Sequence, residues 1–193
     1  MRDEKLKVDF SKFNNEWHKL NIRASRLKQI LWYYVNVLVF NAAWLPVSGL
    51  KVKLLKVFGA KVGTGVVIKP NVNIKYPWML QIGNHCWIGE NVWIDNLSHI
   101  YIGDNVCISQ GAMLLTGNHD YTKESFDLIV REITLEDGVW IGARSVVCPG
   151  VLCASHAVLT VQSVATKNMA PYTIYQGNPA TAIKERKLIK GKS

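Results

Sequence analysis

The sequence predicts an all-β fold, a three-sided parallel β-helix, and three observations predict it. Aliphatic or small residues recur at every sixth position: Val62, Ile68, Ile74; Ile82, Ile88, Ile94; Ile102, Ile108, Leu114; then, after an interruption, Leu135, Ile141, Val147 and Cys153, Leu159, Ala165. The fourth position of these hexads is Gly or Asn at Gly65, Asn71, Asn91, Asn105, Gly111, Gly138 and Gly150. The fifth is small or apolar, as at Cys86, Val106 and Ala112. A fixed short period is the signature of a stacked repeat, in which each unit buries its apolar face only against its neighbours. Each hexad is one short extended segment and a corner. The corner needs a residue at positive φ, which Gly accepts freely and Asn more readily than most. An antiparallel sheet would instead show strict alternation and hairpin signals such as Asn-Gly, and the repeats show neither.

Three hexads close one eighteen-residue coil, so the repeats give about five coils. Three parts follow: an N-terminal arm and apolar helix over 1–58, the β-helix over 59–176 with a loop inserted at 115–134, and a basic tail over 177–193.

The first twenty residues are polar, with scattered aromatics at Phe10, Phe13 and Trp17, and read as a loosely structured arm. No apolar secretory core is visible there, and a cytoplasmic protein is expected. Ile22 to Leu45 reads as helix, with Leu27, Ile30, Leu31, Tyr34 and Leu38 at helical spacing. It is apolar nearly all round, so it is expected to be buried or to lie at a membrane. Asn36, Asn41, Pro46 and Gly49 disfavour a full span. Two placements remain open: packing on the prism, or lying in the inner-membrane interface with Arg23, Arg26 and Lys28 near headgroups. Lys51 to Gly59 reads as a basic link, and the tail as a solvated end or a short helix folded back along the prism.

The chain has 23 Lys and Arg against 14 Asp and Glu, a net charge of +9, concentrated at its two ends. Such a balance favours anionic partners. No nucleic-acid-binding fingerprint accompanies it, and no nucleic-acid partner is expected. Cys86, Cys107, Cys148 and Cys153 show no CxxC spacing and read as free thiols of a reducing compartment.

The residue that stands out chemically is His119. It lies in the polar run Gly117-Asn118-His119-Asp120-Tyr121, where the regular repeat ends and the insertion begins. Insertions on rigid scaffolds often carry function, and imidazole accepts a proton near neutral pH. Asp120 is a candidate to orient it. Zinc is the rival use of histidine: it would need His85, His99 and His119 to converge. Trp140, in the outward sixth position of its hexad, offers a flat surface for a nucleotide, pantetheine or sugar. Thr166 and Lys167, near the end of the prism, suit phosphate.

IGDNV, ISQGA, VWIGA, SVATK and GNPA resemble the hexapeptide-repeat acetyltransferases. The arm DFSKFNN, the apolar helix, LLKVFGAKVG, Tyr76-Pro77-Trp78, LLTGNHDY and Phe126-Asp127-Leu128 are similar to the colanic-acid-biosynthesis type. The resemblance implies a left-handed β-helix, a homotrimer, acetyl-CoA as co-substrate without a metal, and O-acetylation of a sugar or lipid-linked glycan, in surface polysaccharide biosynthesis. It implies that His119 is the general base and Trp140 lines the acetyl-CoA groove. It further implies that Ala143, Val161, Thr166 and Lys167 contact CoA, that Lys184 or Arg186 meets its phosphates, and that Asp95 lies near the acceptor. Two stretches depart from the family pattern. Leu159-Thr160-Val161-Gln162-Ser163 replaces a Gly-Ala-Gly-Ser run, which is expected to narrow the groove at Val161 or Gln162, and Cys153-Ala154 replaces Ile-Gly. Two other functions compete: a zinc enzyme of the γ-carbonic-anhydrase kind, and a non-catalytic β-helix scaffold.

Overall fold

A computed structural model describes residues 6–14 and 21–190, so Trp17 and Lys192 lie outside the described residues. Two helices precede the prism, α1 (Arg26–Val35) and α2 (Ser48–Val57). Ser25 caps α1 by accepting from the Lys28 N–H, which satisfies one of the orphan donors of a helix start. The helix runs on into a π turn over Asn36–Phe40.

Five coils follow. They are β1 (Lys61–Val62), β2 (Val67–Ile68) and β3 (Asn73–Ile74); β4 (Leu80–Ile82), β5 (Trp87–Ile88) and β6 (Trp93–Asp95); β7 (Ile100–Ile102), β8 (Cys107–Ile108) and β9 (Met113–Leu115). The antiparallel hairpin β10 (Gly117–His119) and β11 (Leu128–Val130) then leaves the prism. The coils resume with β12 (Ile133–Leu135), β13 (Trp140–Ile141) and β14 (Val146–Val147), then β15 (Leu152–Cys153), β16 (Val158–Leu159) and β17 (Val164–Ala165). The first strands of the coils form one parallel sheet (A), the second strands another (B) and the third strands a third (C).

The six-residue period is the packing rule. Of the fifteen inward positions only Val62, at the open end, is not buried. Each buried aliphatic side chain contributes about 1.5–3 kcal/mol relative to exposure. All seven Gly and Asn corners have φ between +58° and +83°. His85, Arg144, His156 and Gln162 adopt the same corner conformation, held there by the ladder on either side rather than by their own preference.

Sheet B is covered at its start and extended at its far end, where β19 forms the outer edge. At the start, α2 supplies the cover, where the sequence suggested only a link. Ser48 Oγ bonds the N–H and C=O of Ile68, and Lys51 Nζ donates to the Lys69 carbonyl at 2.8 Å. The Trp32 ring packs against both Phe40 and Phe58, with centroids 5.1 Å from each. At the far end, β18 (Thr173–Gly177) adds to β16 and β19 (Ala180–Glu185) returns along β18. The tail does fold back, but as a strand and not as a helix. The free edge of β18 offers it a ladder, and β-branched Thr181 and Ile183 suit an extended chain.

Of the two placements that its composition left open for helix α1, the structure shows packing on the prism. Its inner side packs on the prism base, where Trp32 is buried and its Nε1 donates to the Ile74 carbonyl at 2.8 Å. Its outer side, Leu27, Ile30, Leu31 and Tyr34, is exposed, as is Leu38 of the π turn. No described helix is long and apolar enough to cross a membrane.

Candidate active site

The hairpin that carries His119 is anchored at its root. Thr116 is buried; its Oγ1 donates to the Asp95 carbonyl at 2.9 Å and accepts from the Ser98 N–H, and its own carbonyl accepts from Arg131. Gly117 passes so close to Leu97 that a Cβ there would meet Leu97 Cδ1 at 2.6 Å.

From this root β10 delivers His119, half-buried, across from Leu128 of β11. His119 Nδ1 lies 2.9 Å from the Phe126 carbonyl oxygen. A carbonyl can only accept, so Nδ1 is the donor, and in the neutral imidazole this leaves the lone pair on Nε2, the form a general base requires. The two rings stack, with centroids 4.5 Å apart and planes 11° apart. Phe126 holds a positive φ of 51°, a costly conformation for an aromatic residue that aims its carbonyl at the imidazole.

Asp120 does not orient His119. Its carboxylate accepts from the backbone and hydroxyl of Thr122, and the hydroxyl bond, with the backbone one, holds its pKa below the usual carboxylate value. The described part of the N-terminal arm, residues 6–14, is more ordered than its polarity suggested. It makes a short 3-10 turn at Phe10–Lys12, Asp9 N–H donates to Glu124, Phe10 meets the Phe126 ring edge-on, and Phe13 reaches His119 with centroids 5.8 Å apart.

Asp95 ends β6 and pairs in register with Leu115, two residues before the hairpin. Its Oδ1 has the Lys75 ammonium at 3.1 Å but makes no hydrogen bond: the ion pair is close, yet its geometry leaves the oxygen's hydrogen-bonding capacity unused. Burial, with the Asp95 charge beside it, raises the Tyr76 pKa.

Trp140 sits on another face. It is 45% exposed in the middle of sheet B, and its Nε1 donates to Ser109 Oγ at 2.9 Å. Trp87, Cys107, Trp140, Val158, Ile174 and Lys184 stand in register as one row across that sheet. Trp87, Cys107, Ser109 and Trp140 help line a groove of about 420 Å³, with the Lys69 ammonium 5.7 Å from the Trp87 ring centroid.

The remaining candidates divide. Ala143 and Val161 stack on the corner between sheets B and C, where the Ala143 carbonyl accepts from Gln162. Val161 and Gln162 both point to solvent, and Gly142 leaves no room for a Cβ, which would meet the Val161 nitrogen at 2.6 Å. Lys184 shares Trp140's row. Thr166 and Lys167 are exposed past β17, on the next corner. Arg186 is committed elsewhere: its Nη1 donates to the carbonyls of Gly138 and His156 at 2.8 and 3.0 Å, pinning β19. Within one chain His119 and Asp95 therefore share a corner, and Trp140 and Lys184 share a face.

The histidines proposed for zinc do not converge. His85 fills a corner beside Gly65, and His99 stacks on Tyr101. Among the described residues no three His, Cys, Asp or Glu side chains gather as metal ligands. Burial raises the thiol pKa of Cys86 and Cys148 and pushes Cys153 up to about 12, which suppresses the reactive thiolate.

Sequence reasoning missed Phe126 and Trp87. Trp87 was legible, since it occupies the same sixth hexad position as Trp140. The Phe126 role belongs to its backbone and leaves no mark in residue type.

No family model matches the chain. It is 36% identical over 162 residues to an Escherichia coli K12 protein assigned to colanic acid biosynthesis as an acetyltransferase (WcaF), covering 83% of this chain and 88% of that one. A solved galactoside acetyltransferase in complex with coenzyme A superposes with a TM-score of 0.75 at 25% identity, over 83% of this chain and 82% of that one. A hexapeptide-repeat acetyltransferase from Vibrio cholerae, solved with acetyl coenzyme A, shares the fold with a TM-score of 0.74 at 23% identity, over 83% and 88% of the two chains. With the six-residue repeats, the three-sheet prism and a relative of this similarity over most of its length, the chain belongs to the left-handed β-helix, hexapeptide-repeat acetyltransferases, of the colanic acid biosynthesis type.

Proposed function

We propose that the protein transfers the acetyl group of acetyl-CoA to a sugar hydroxyl in the synthesis of a surface glycan. One observation carries the reading: the Phe126 carbonyl fixes the His119 tautomer with Nε2 free. In the proposed reaction Nε2 takes the proton of the acceptor hydroxyl. The alkoxide oxygen forms a bond to the thioester carbon, the carbon–sulfur bond breaks, and the imidazolium returns the proton to the departing CoA thiolate. General-base assistance is worth about 100- to 10,000-fold, and holding the two substrates together supplies much of the remainder.

The row on sheet B suits acetyl-CoA. Trp140 offers an apolar surface, and Lys184 lies three strands along, roughly 14 Å at ordinary strand spacing, where an ammonium can meet phosphate. Lys184 takes that role here because Arg186 is already bonded to backbone. Ala143 and Val161 border the row, and Thr166 and Lys167 contribute from the adjoining corner.

A homotrimer completes the site in this reading. His119 and Trp140 of one chain face different sides of its prism, so a second copy brings the base of one to the groove of the other. The outer side of α1 gives the assembly its location. Leu38 is 63% exposed and Trp44 75% exposed, and Arg23 and Arg26 at the start of α1 and Lys53 and Lys56 of α2 are exposed as well. An apolar ridge edged with cations binds an anionic bilayer surface. The protein accordingly works at the inner face of a membrane on a lipid-linked glycan.

The test is calorimetric titration of the full chain with acetyl-CoA, followed by CoA release on adding galactosides. Saturable binding near one site per chain and sugar-dependent release support the reading; absence of acetyl-CoA binding contradicts it.

A further inference from the structure

Beneath α1 lies a second cavity, of about 390 Å³, between the helix and the outer face of sheet C. That is within the range of small-molecule sites. Gln29 and Tyr33, one helical turn apart, line its helix side, and Asn41 follows the π turn. Trp93 and the Lys75–Asp95 pair line its sheet side.

Three features distinguish this cavity from a packing defect. Asp95 Oδ1 is buried against the Lys75 ammonium at 3.1 Å, and this ion pair lies in the cavity wall with no well-aligned hydrogen bond on that oxygen, so the carboxylate keeps lone pairs for a ligand's hydroxyls. Tyr33 and Trp93 both line the cavity and are both exposed, so two aromatic side chains border it beside polar groups. The π turn that opens this wall is a distortion that frequently marks function. Here Asn36 docks on Asn73 and Ile74, and the chain beyond it reaches Asn41 at the rim.

Aromatic faces beside a carboxylate, an ammonium and amides fit a ring that is apolar on one side and ringed with hydroxyls. The position matters as much as the chemistry. Asp95 is the register partner of Leu115, and its carbonyl holds Thr116, the root of the His119 hairpin. We propose that this cavity binds the sugar unit next to the one acetylated, making the preferred acceptor a glycan of at least two units read by Tyr33, Asn41 and Trp93. The inference rests on the acetyl-transfer reading only for which unit reacts; the sugar binding stands apart from the chemistry.

The experiment measures binding of lactose, galactobiose and maltose, with galactose and glucose as single-unit controls, to the full-length chain without acetyl-CoA. Ligand-observed NMR supplies the readout. At least one disaccharide is expected to bind about tenfold more tightly than its monosaccharide. Tyr33→Ala and Asn41→Ala should each erase most of that preference, while acetyl-CoA titration and melting temperature stay at wild-type values. Disaccharide and monosaccharide binding alike in the wild type, or a preference that survives both substitutions, overturns the proposal. Loss of acetyl transfer alone, with disaccharide preference intact, would count against the proposed reaction and for the cavity.

Discussion

The Nδ1 of His119 and the carbonyl oxygen of Phe126 are 2.9 Å apart, with the two rings stacked above the same bond. One residue thus fixes the imidazole twice, through its backbone and through its ring. Truncating the ring leaves the carbonyl in place but frees the imidazole to tilt. Phe126→Ala is expected to lower kcat by about 10- to 100-fold, the scale of a small misplacement, with KM for acetyl-CoA unchanged. Steady-state kinetics with acetyl-CoA varied checks the split.

The division of His119 and Trp140 between faces predicts complementation. Co-expressed His119→Ala and Trp140→Ala chains form mixed trimers in the proposed assembly. If a site takes one residue from each neighbour, every mixed trimer has one interface in three with both residues intact. Purified mixed trimers should then recover about a third of wild-type turnover, whereas a site contained in one chain recovers none.

Membrane contact through α1 predicts a salt-sensitive vesicle interaction. The wild-type chain should float with phosphatidylserine vesicles, and less so as salt rises. Leu31→Glu with Leu38→Glu, both at exposed positions, should abolish flotation without loss of acetyl-CoA binding. Flotation sedimentation read by immunoblot distinguishes the outcomes.

Much of the fold was legible because the six-residue period is enforced at every coil: one inward side chain, one left-handed corner. The same phase placed Trp140 outward. His119 was legible as the point where the period breaks. Asp120 misled because sequence adjacency stands out more than the turn that sends its carboxylate to Thr122. Phe126 and Arg186 were illegible for a shared reason. Each acts through backbone carbonyls, that of Phe126 within the hairpin loop and those of Gly138 and His156 for Arg186, and no residue pattern records that. The strand β19 was hidden by its charges, which read as a solvated end, while the open edge that recruits it lies in another segment.

Lys51 offers a test of the prism's base. Burial pushes its ammonium pKa below the ordinary 10.5. Between that lowered value and 10.5 the folded state binds fewer protons than the unfolded chain, so this residue's contribution to stability rises with pH across that window and is least below it. Lys51→Met removes the term. The difference in urea midpoint, wild type minus variant, should therefore increase from neutrality towards pH 10.5.

The central claim is that His119 is the base in transfer from acetyl-CoA, and His119→Ala tests it most directly. Acetyl ester formation on a galactoside, followed by mass spectrometry alongside calorimetric titration with acetyl-CoA, gives both readouts from one preparation. A loss of about 100- to 10,000-fold in transfer is expected, with acetyl-CoA affinity unchanged. Wild-type turnover in the variant would contradict it.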